Sequence, residues 1–151
     1  MNLNKQIQGH VWIIIMALAS LLGPVVWASE SQPAGFELSS TELMKHQSDG
    51  VVIIDIRRKE EWRDTGILNG AETITAFTKA GSLHPDFQTK FASLVPNSDT
   101  PFVLYCRSGR RSGLLRDALE KNLGFTKAMH LLGGIVAWKK EGKSLVPYGH
   151  D

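Results

Sequence analysis

The sequence predicts an α/β domain with a central, mainly parallel sheet flanked by helices. Three observations carry that expectation. VVIIDI (Val51 to Ile56) and FVLY (Phe102 to Tyr105) are continuous apolar runs, the pattern of strands buried on both faces, as in parallel sheets. Segments with apolar residues at helical spacing follow each of them. Glycines and prolines mark the joins, and strands alternating with helices in this way build parallel sheets.

The elements follow in chain order. Lys5 precedes an apolar run from Val11 to Trp27, and Val26-Trp27-Ala28 offers small residues for cleavage after Ala28. The run falls short of the roughly 20 residues of a bilayer span, and Gly23-Pro24 interrupts it. Residues 1–28 are therefore expected to be a cleaved export signal, with an uncleaved anchor as the alternative, and the expected address is the periplasm. Membrane contact is expected only if the segment stays uncleaved. Residues 29–35 read as a linker and 36–148 as the folded domain.

Within the domain, Ser39 or Ser40 caps a helix to about Gln47, with Glu42 in its first turn. Asp49-Gly50 turns the chain into the Val51–Ile56 strand. Lys59 to Asp64 is expected to form one or two helical turns, and the triplet Arg57-Arg58-Lys59 to be a solvated helix start. Gly66 and Gly70 mark a loop before a short strand at Glu72 to Thr75. Pro85 opens a helix in which Phe87, Phe91 and Leu94 recur, and Pro96 to Asp99 is a turn. After the Phe102–Tyr105 strand, Arg110 to Asn122 carries Leu114, Leu115, Ala118 and Leu119 on one face, with Gly124 as its left-handed cap. Ala128 to Leu132 is the last strand. Gly133-Gly134 opens a helix that Gly142 ends.

Composition narrows the function. The chain has 151 residues, 42% hydrophobic and 21% charged, which fits one globular domain. A net charge of +2 and the lack of a long basic run argue against nucleic acid as a partner. Cys106 is the sole cysteine, so an exported chain cannot form an internal disulfide, and a reactive thiol becomes the leading reading.

The surroundings of Cys106 strengthen it. YCRSGRRSG (Tyr105 to Gly113) places the thiol at the carboxyl end of a buried strand, just before a helix, where open α/β sheets bind ligands. Free N–H groups of the loop and helix start form an anion-binding concavity, and Gly109 lets the backbone curl. Arg107, Arg110 and Arg111 add positive charge, and cations together with a helix N-terminus favour the thiolate over the thiol. Such a thiolate can attack an electrophilic centre in an anionic substrate. A cysteine-dependent phosphatase of the C-x5-R type would need an arginine six places after Cys106. Ser112 stands there, and Arg111 falls one place early. The shorter loop fits a group smaller than a phosphoryl, such as a single sulfur atom.

Three motifs resemble the rhodanese family, the thiosulfate sulfurtransferases. Cys106 to Ser112 (CRSGRRS) is similar to the family's C-R-x-G-x-R-S loop. Asp55-Ile56-Arg57, Glu61-Trp62 and Gly66 to Ala71 resemble its D-x-R…E-[FYW]-x-x-G-H-I-x-G-A segment, with Ile67 in place of the histidine. Leu131 to Trp138, followed by Gly142 and Pro147, resembles its L-x-G-G-x-x-x-W signature. The overall pattern is most similar to small exported single-domain members of the phage-shock type. The resemblance implies a rhodanese-like fold and a two-step sulfur relay through a persulfide on Cys106, from a small anionic donor such as thiosulfate to a thiophilic acceptor such as cyanide. It assigns substrate binding to Arg107, Ser108, Gly109, Arg110, Arg111 and Ser112, with Arg107 and Arg111 orienting the donor and Arg110 pointing to solvent. Ser112 is expected to hydrogen-bond the sulfur or cap the helix. It implies no metal and no organic cofactor. Phosphatase, arsenate reductase and non-enzymatic thiol sensor remain the alternatives.

The remaining residues read more plainly. Asp55 and Arg57, at the end of the first strand, are expected to form a structural ion pair or a loop cap, in a supporting role. His46, His84, His130 and His150 lack metal-ligand spacing. Trp62 and Trp138 are expected to anchor the core, Glu60 and Glu61 to be solvated or ion-paired, and packing to absorb the change at Ile67.

Overall fold

A computed structural model describes residues 36–149. The predicted export signal (1–28), the linker (29–35) and His150 lie outside the described residues. The order is β1 (Glu37–Leu38), α1 (Ser40–Ser48), β2 (Val52–Asp55), α2 (Lys59–Thr65), β3 (Glu72–Thr73), α3 (Phe87–Leu94), β4 (Phe102–Tyr105), α4 (Arg110–Leu123), β5 (Ala128–Leu131) and α5 (Gly134–Lys140). The strands form one parallel sheet in the order β1-β5-β4-β2-β3.

Strands buried on both faces need cover on both faces, and the side chains divide accordingly. Ile54, Phe102, Leu104 and Ala128 pack with Phe87 and Phe91 of α3 and Leu115 and Leu119 of α4. Ile53, Val103, Tyr105, Met129 and Leu131 pack on the other side with Leu43 of α1 and Ile135 and Trp138 of α5. Phe91 meets the Phe102 ring edge-on at 5.2 Å, a favoured aromatic geometry. The helix starts follow from local chemistry. Ser39 and Glu42 form a reciprocal capping box, the Ser39 hydroxyl accepting the Glu42 N–H and the Glu42 carboxylate accepting the Ser39 N–H. Gly124 closes α4 in the left-handed conformation.

Several expectations shift. Pro85 precedes Asp86, the N-cap of α3, so it lies outside the helix it was expected to open. Strand β3 stops at Thr73, and β5 stops at Leu131, leaving Leu132 exposed. Of the four apolar residues expected on one face of α4, Leu115 and Leu119 are buried, while Leu114 is 60% exposed and Ala118 is exposed as well. Arg57 is buried rather than solvated, since Asp55 folds back to neutralise it. β1 gave no sequence signal. Its two residues add to the sheet edge beside β5.

Candidate active site

Strand β4 delivers Cys106 to the carboxyl edge of the sheet, between β2 and β5. The residue is fully buried, packed with the Ile54, Phe102 and Leu115 side of the core. The chain then runs through Arg107 and Ser108, both exposed, to Gly109, the N-cap of α4. Gly109 has φ of 86°, and a Cβ there would stand 2.9 Å from the Gly133 nitrogen. Only glycine accommodates both constraints.

Helix α5 shapes this loop from behind. The N–H of Ile135 donates to the Cys106 carbonyl at 2.9 Å, and the N–H of Val136 donates to the Arg107 carbonyl at 3.1 Å. A Cβ on Gly134 would collide with the Cys106 carbonyl and lie 2.7 Å from the Arg107 carbonyl, which explains the second glycine of the Leu131–Trp138 signature. In a trans peptide the C=O and N–H point in opposite directions. With those two carbonyls turned toward α5, the N–H groups of Arg107 and Ser108 face away from it. Among the described residues, none of the backbone N–H groups from Arg107 to Ser112 has an acceptor. A run of free N–H groups ending in a helix start is a cradle for negative charge.

Two side chains lie near the sulfur, one of them, Ser112, within hydrogen-bonding distance. The Ser112 hydroxyl, fully buried, lies 3.5 Å from Cys106 Sγ and 3.0 Å from the Gly109 carbonyl. It carries one proton, so it serves as a donor to either the sulfur or the carbonyl. Of the two roles expected for Ser112, the hydroxyl stands at the sulfur; the helix start carries no side-chain cap. Arg111 also faces the sulfur, and its guanidinium forms a bidentate pair with Glu61 of α2, Nη2 to Oε1 at 2.7 Å and Nη1 to Oε2 at 2.9 Å. Hydrogen bonding to Glu61 and its charge hold Arg111 even more firmly protonated than an ordinary arginine. Burial pushes the Glu61 carboxyl up, but the Arg111 side chain and the Arg58 backbone outweigh it and hold Glu61 below the usual carboxylate range.

The other cations sit differently. Arg107 and Arg110 are exposed and carry no ion pair among the described residues. Two cavities flank the loop. One, about 430 Å³, lies beside Arg107, Glu61 and Lys139; the other, about 420 Å³, lies beside Ser108, Arg110 and His130. Cys106 lines neither.

Asp55 and Arg57 form a buried ion pair. Arg57 donates to Asp55 through Nε and Nη2 at 2.7–3.0 Å, then to Thr65 Oγ1 at 2.6 Å and the Gly66 carbonyl at 2.7 Å. These bonds tie the end of β2 to the end of α2 and so fix the helix that carries Glu61. Tyr105 ties the same region from β4, its hydroxyl accepting the Leu68 N–H at 3.0 Å. Burial and the nearby Asp55 carboxylate push the phenol far above its ordinary range, so it stays protonated. Trp62 and Trp138 are buried, and Glu60 pairs with Arg58. Ile67 exchanges backbone hydrogen bonds with Val146 at 2.9 Å. Among the described residues no three His, Cys, Asp or Glu side chains gather where they could share a metal ion.

Sequence reasoning did not identify Glu61 as the partner of Arg111. The pair spans 50 positions, and the one available signal was a glutamate within a motif that also carries Asp55 and Arg57.

The model of the Rhodanese-like domain family matches residues 39–141. A rhodanese domain-containing protein of Drosophila melanogaster is 31% identical over 96 residues, covering 61% of this chain and 86% of that protein. The probable adenylyltransferase/sulfurtransferase MoeZ of Mycobacterium tuberculosis is 36% identical over 110 residues, covering 71% of this chain but only 25% of MoeZ. Among solved structures, the human single-domain sulfurtransferase TSTD1 superposes with a TM-score of 0.54 at 24% identity, covering 71% of this chain and 97% of that one.

Proposed function

The chain belongs to the rhodanese-like domain family, and from that premise we propose that it is a sulfurtransferase whose Cys106 carries the transferred sulfur. The observation that carries the reading is the run of N–H groups from Arg107 to Ser112, without acceptors among the described residues, that directly follows the only thiol in the chain.

In the first half-reaction the Cys106 thiolate attacks the outer sulfur of thiosulfate. The new S–S bond forms as the S–S bond of thiosulfate breaks, and sulfite leaves with the electron pair. The product is a Cys106 persulfide anion. In the second half-reaction an acceptor such as cyanide attacks the terminal sulfur, thiocyanate leaves, and the thiolate is restored. Charge develops at the terminal sulfur, where the N–H cradle stabilises it. Ser112 donates to the sulfur nearest the backbone. Arg107 and Arg110, exposed and without an ion pair among the described residues, draw the donor anion in, while Arg111 holds a fixed position because Glu61 clamps it. Entry requires movement of the exposed Arg107–Ser108 segment, since the thiol is enclosed. A C-x5-R phosphatase would place an arginine where Ser112 contacts the sulfur, so the smaller sulfur cargo is the better fit.

Export completes the proposal: residues 1–28 carry the domain to the periplasm, where a lone thiol is kept for chemistry rather than for a disulfide. The direct test is intact mass of the reduced protein after incubation with thiosulfate. The expected result is a gain of one sulfur atom, reversed by cyanide and absent from Cys106→Ala. Wild-type protein that gains no sulfur would exclude thiosulfate as donor.

A further inference from the structure

We propose that a second cavity, apart from the thiol, binds a tetrahedral oxyanion of the phosphate or sulfate class. It encloses about 360 Å³ at the carboxyl end of β3, the side of a parallel sheet where ligands bind. Its wall is rich in donors. Lys59 of α2 and Lys90 of α3 bring two ammonium groups from different elements, and Thr73 and Thr75 bring hydroxyls. His84 Nδ1 accepts the Asp86 N–H at 3.3 Å, which leaves its proton on Nε2 as a further donor. Asp86 is the one carboxylate on this wall, and Lys90 lies 3.7 Å from it.

The decisive observation is Trp62. Its side chain lines the cavity and is 4% exposed, yet among the described residues its indole N–H has no acceptor. The comparable Trp138 donates to the Ser144 carbonyl at 2.9 Å. Buried donors are seldom left unpaired, and an oxyanion in this cavity brings the missing acceptor. Tyr148, half-buried, packs 5.1 Å from the Trp62 ring and lines the same cavity. Glu61, next in sequence to Trp62, lines a different cavity beside Arg107, and Cys106 lines neither. The site is therefore distinct from the sulfur cradle.

The test is an NMR titration of the nitrogen-15-labelled full chain, with the Trp62 indole cross-peak identified by Trp62→Phe. Sodium phosphate and, separately, sodium sulfate are added at pH 7, against sodium chloride of matched ionic strength. The expected result is a saturable shift of the Trp62 indole with an oxyanion and none with chloride, while the Trp138 indole stays put. Phosphate alone as ligand assigns the site to phosphorylated compounds, and sulfate alone to sulfur oxyanions. The Lys59→Gln/Lys90→Gln variant, altered at two exposed positions, should bind at least about tenfold more weakly. No saturable shift, the same shift with chloride, or undiminished binding in that variant would each overturn the proposal; the wild-type titration decides by itself if the variant folds poorly.

Discussion

Arg111 and Glu61 meet in a two-point ion pair, 2.7 and 2.9 Å, that ties the first turn of α4 to α2. The arginine facing the thiol is therefore not a loose charge waiting for substrate. Its position is set by a helix that is itself anchored by the buried Asp55–Arg57 pair. Positioning of this kind is paid for in the fold and recovered as a pre-formed site.

The first prediction concerns that clamp. Glu61→Gln keeps the shape of the side chain and removes its charge. Arg111 then loses its fixed orientation, and kcat/KM for thiosulfate should fall about tenfold, equivalent to about 1.4 kcal/mol. Steady-state thiosulfate–cyanide assays check this, with circular dichroism confirming the fold. A merely structural role for Glu61 would leave kcat/KM unchanged once the protein is folded.

The same pair has a pH signature. Glu61 sits below the usual carboxylate range in the folded state. Its contribution is present above the ordinary glutamate value, about 4.3, and is lost as pH falls through the depressed folded value. The stability gap between wild type and Glu61→Gln should therefore be constant from neutral pH down to about pH 5 and close below about pH 4. Urea unfolding across that range measures it. A gap that persists in acid would show that the ion pair is not its source.

How much of this was legible follows from the range of each interaction. β2, β4 and the ends of α4 were readable because their signals are local: β-branched runs, a capping glycine, a change of period. β1 was not, since two residues carry no periodicity and their partner strand begins near Ala128. Grouping Arg57 with Arg58 and Lys59 as a solvated helix start misled, because the pair it makes with Asp55 lies inside the core. The loop around Cys106 was readable as an anion cradle from strand, glycine and helix start. Its enclosure was not, since the buried thiol packs with Ile54 of β2 and Leu115 of α4, which reach it from separate stretches of chain.

The buried pair at the base of α2 gives a larger effect. Burial opposes the charge on Arg57, yet hydrogen bonding and attraction to Asp55 hold it protonated. Removing one partner strands the other charge in the core, so Arg57→Met or Asp55→Asn should each destabilise by about 3–5 kcal/mol. The double variant Asp55→Asn/Arg57→Met should lose clearly less than the sum of the two. Denaturant midpoints in a double-mutant cycle decide it; simple additivity would remove the pair from the account.

Glycines 134 and 50 make a controlled comparison. Both have positive φ, at 57° and 83°, so alanine is strained at each. At Gly50 a Cβ meets nothing within 4 Å, while at Gly134 it meets the carbonyls of Cys106 and Arg107. Gly50→Ala should cost about 1 kcal/mol or little more and leave sulfur transfer intact. Gly134→Ala should push the catalytic loop forward and reduce persulfide formation more than stability alone explains. Equal effects on activity at the two positions would mean that the α5 contact does not shape the loop.

His130 supplies the last prediction. It is 6% exposed beside the loop, with Nδ1 unpaired among the described residues and Nε2 3.7 Å from a Glu37 carboxylate oxygen. Burial lowers its proton affinity; Glu37 and Asp117 oppose that shift and Arg116 reinforces it, and the net displacement is downward. The unfolded chain, with histidine near its ordinary value of about 6.5, then takes up a proton before the folded one does. Neutral His130 therefore contributes stability above about pH 6.5 that is lost as pH falls toward its lower folded value. His130→Gln should flatten the decline in urea midpoint between pH 7 and pH 5, because glutamine has no proton to gain. An unchanged slope in that variant would assign the decline to other groups and show that the imidazole is not held neutral by its burial.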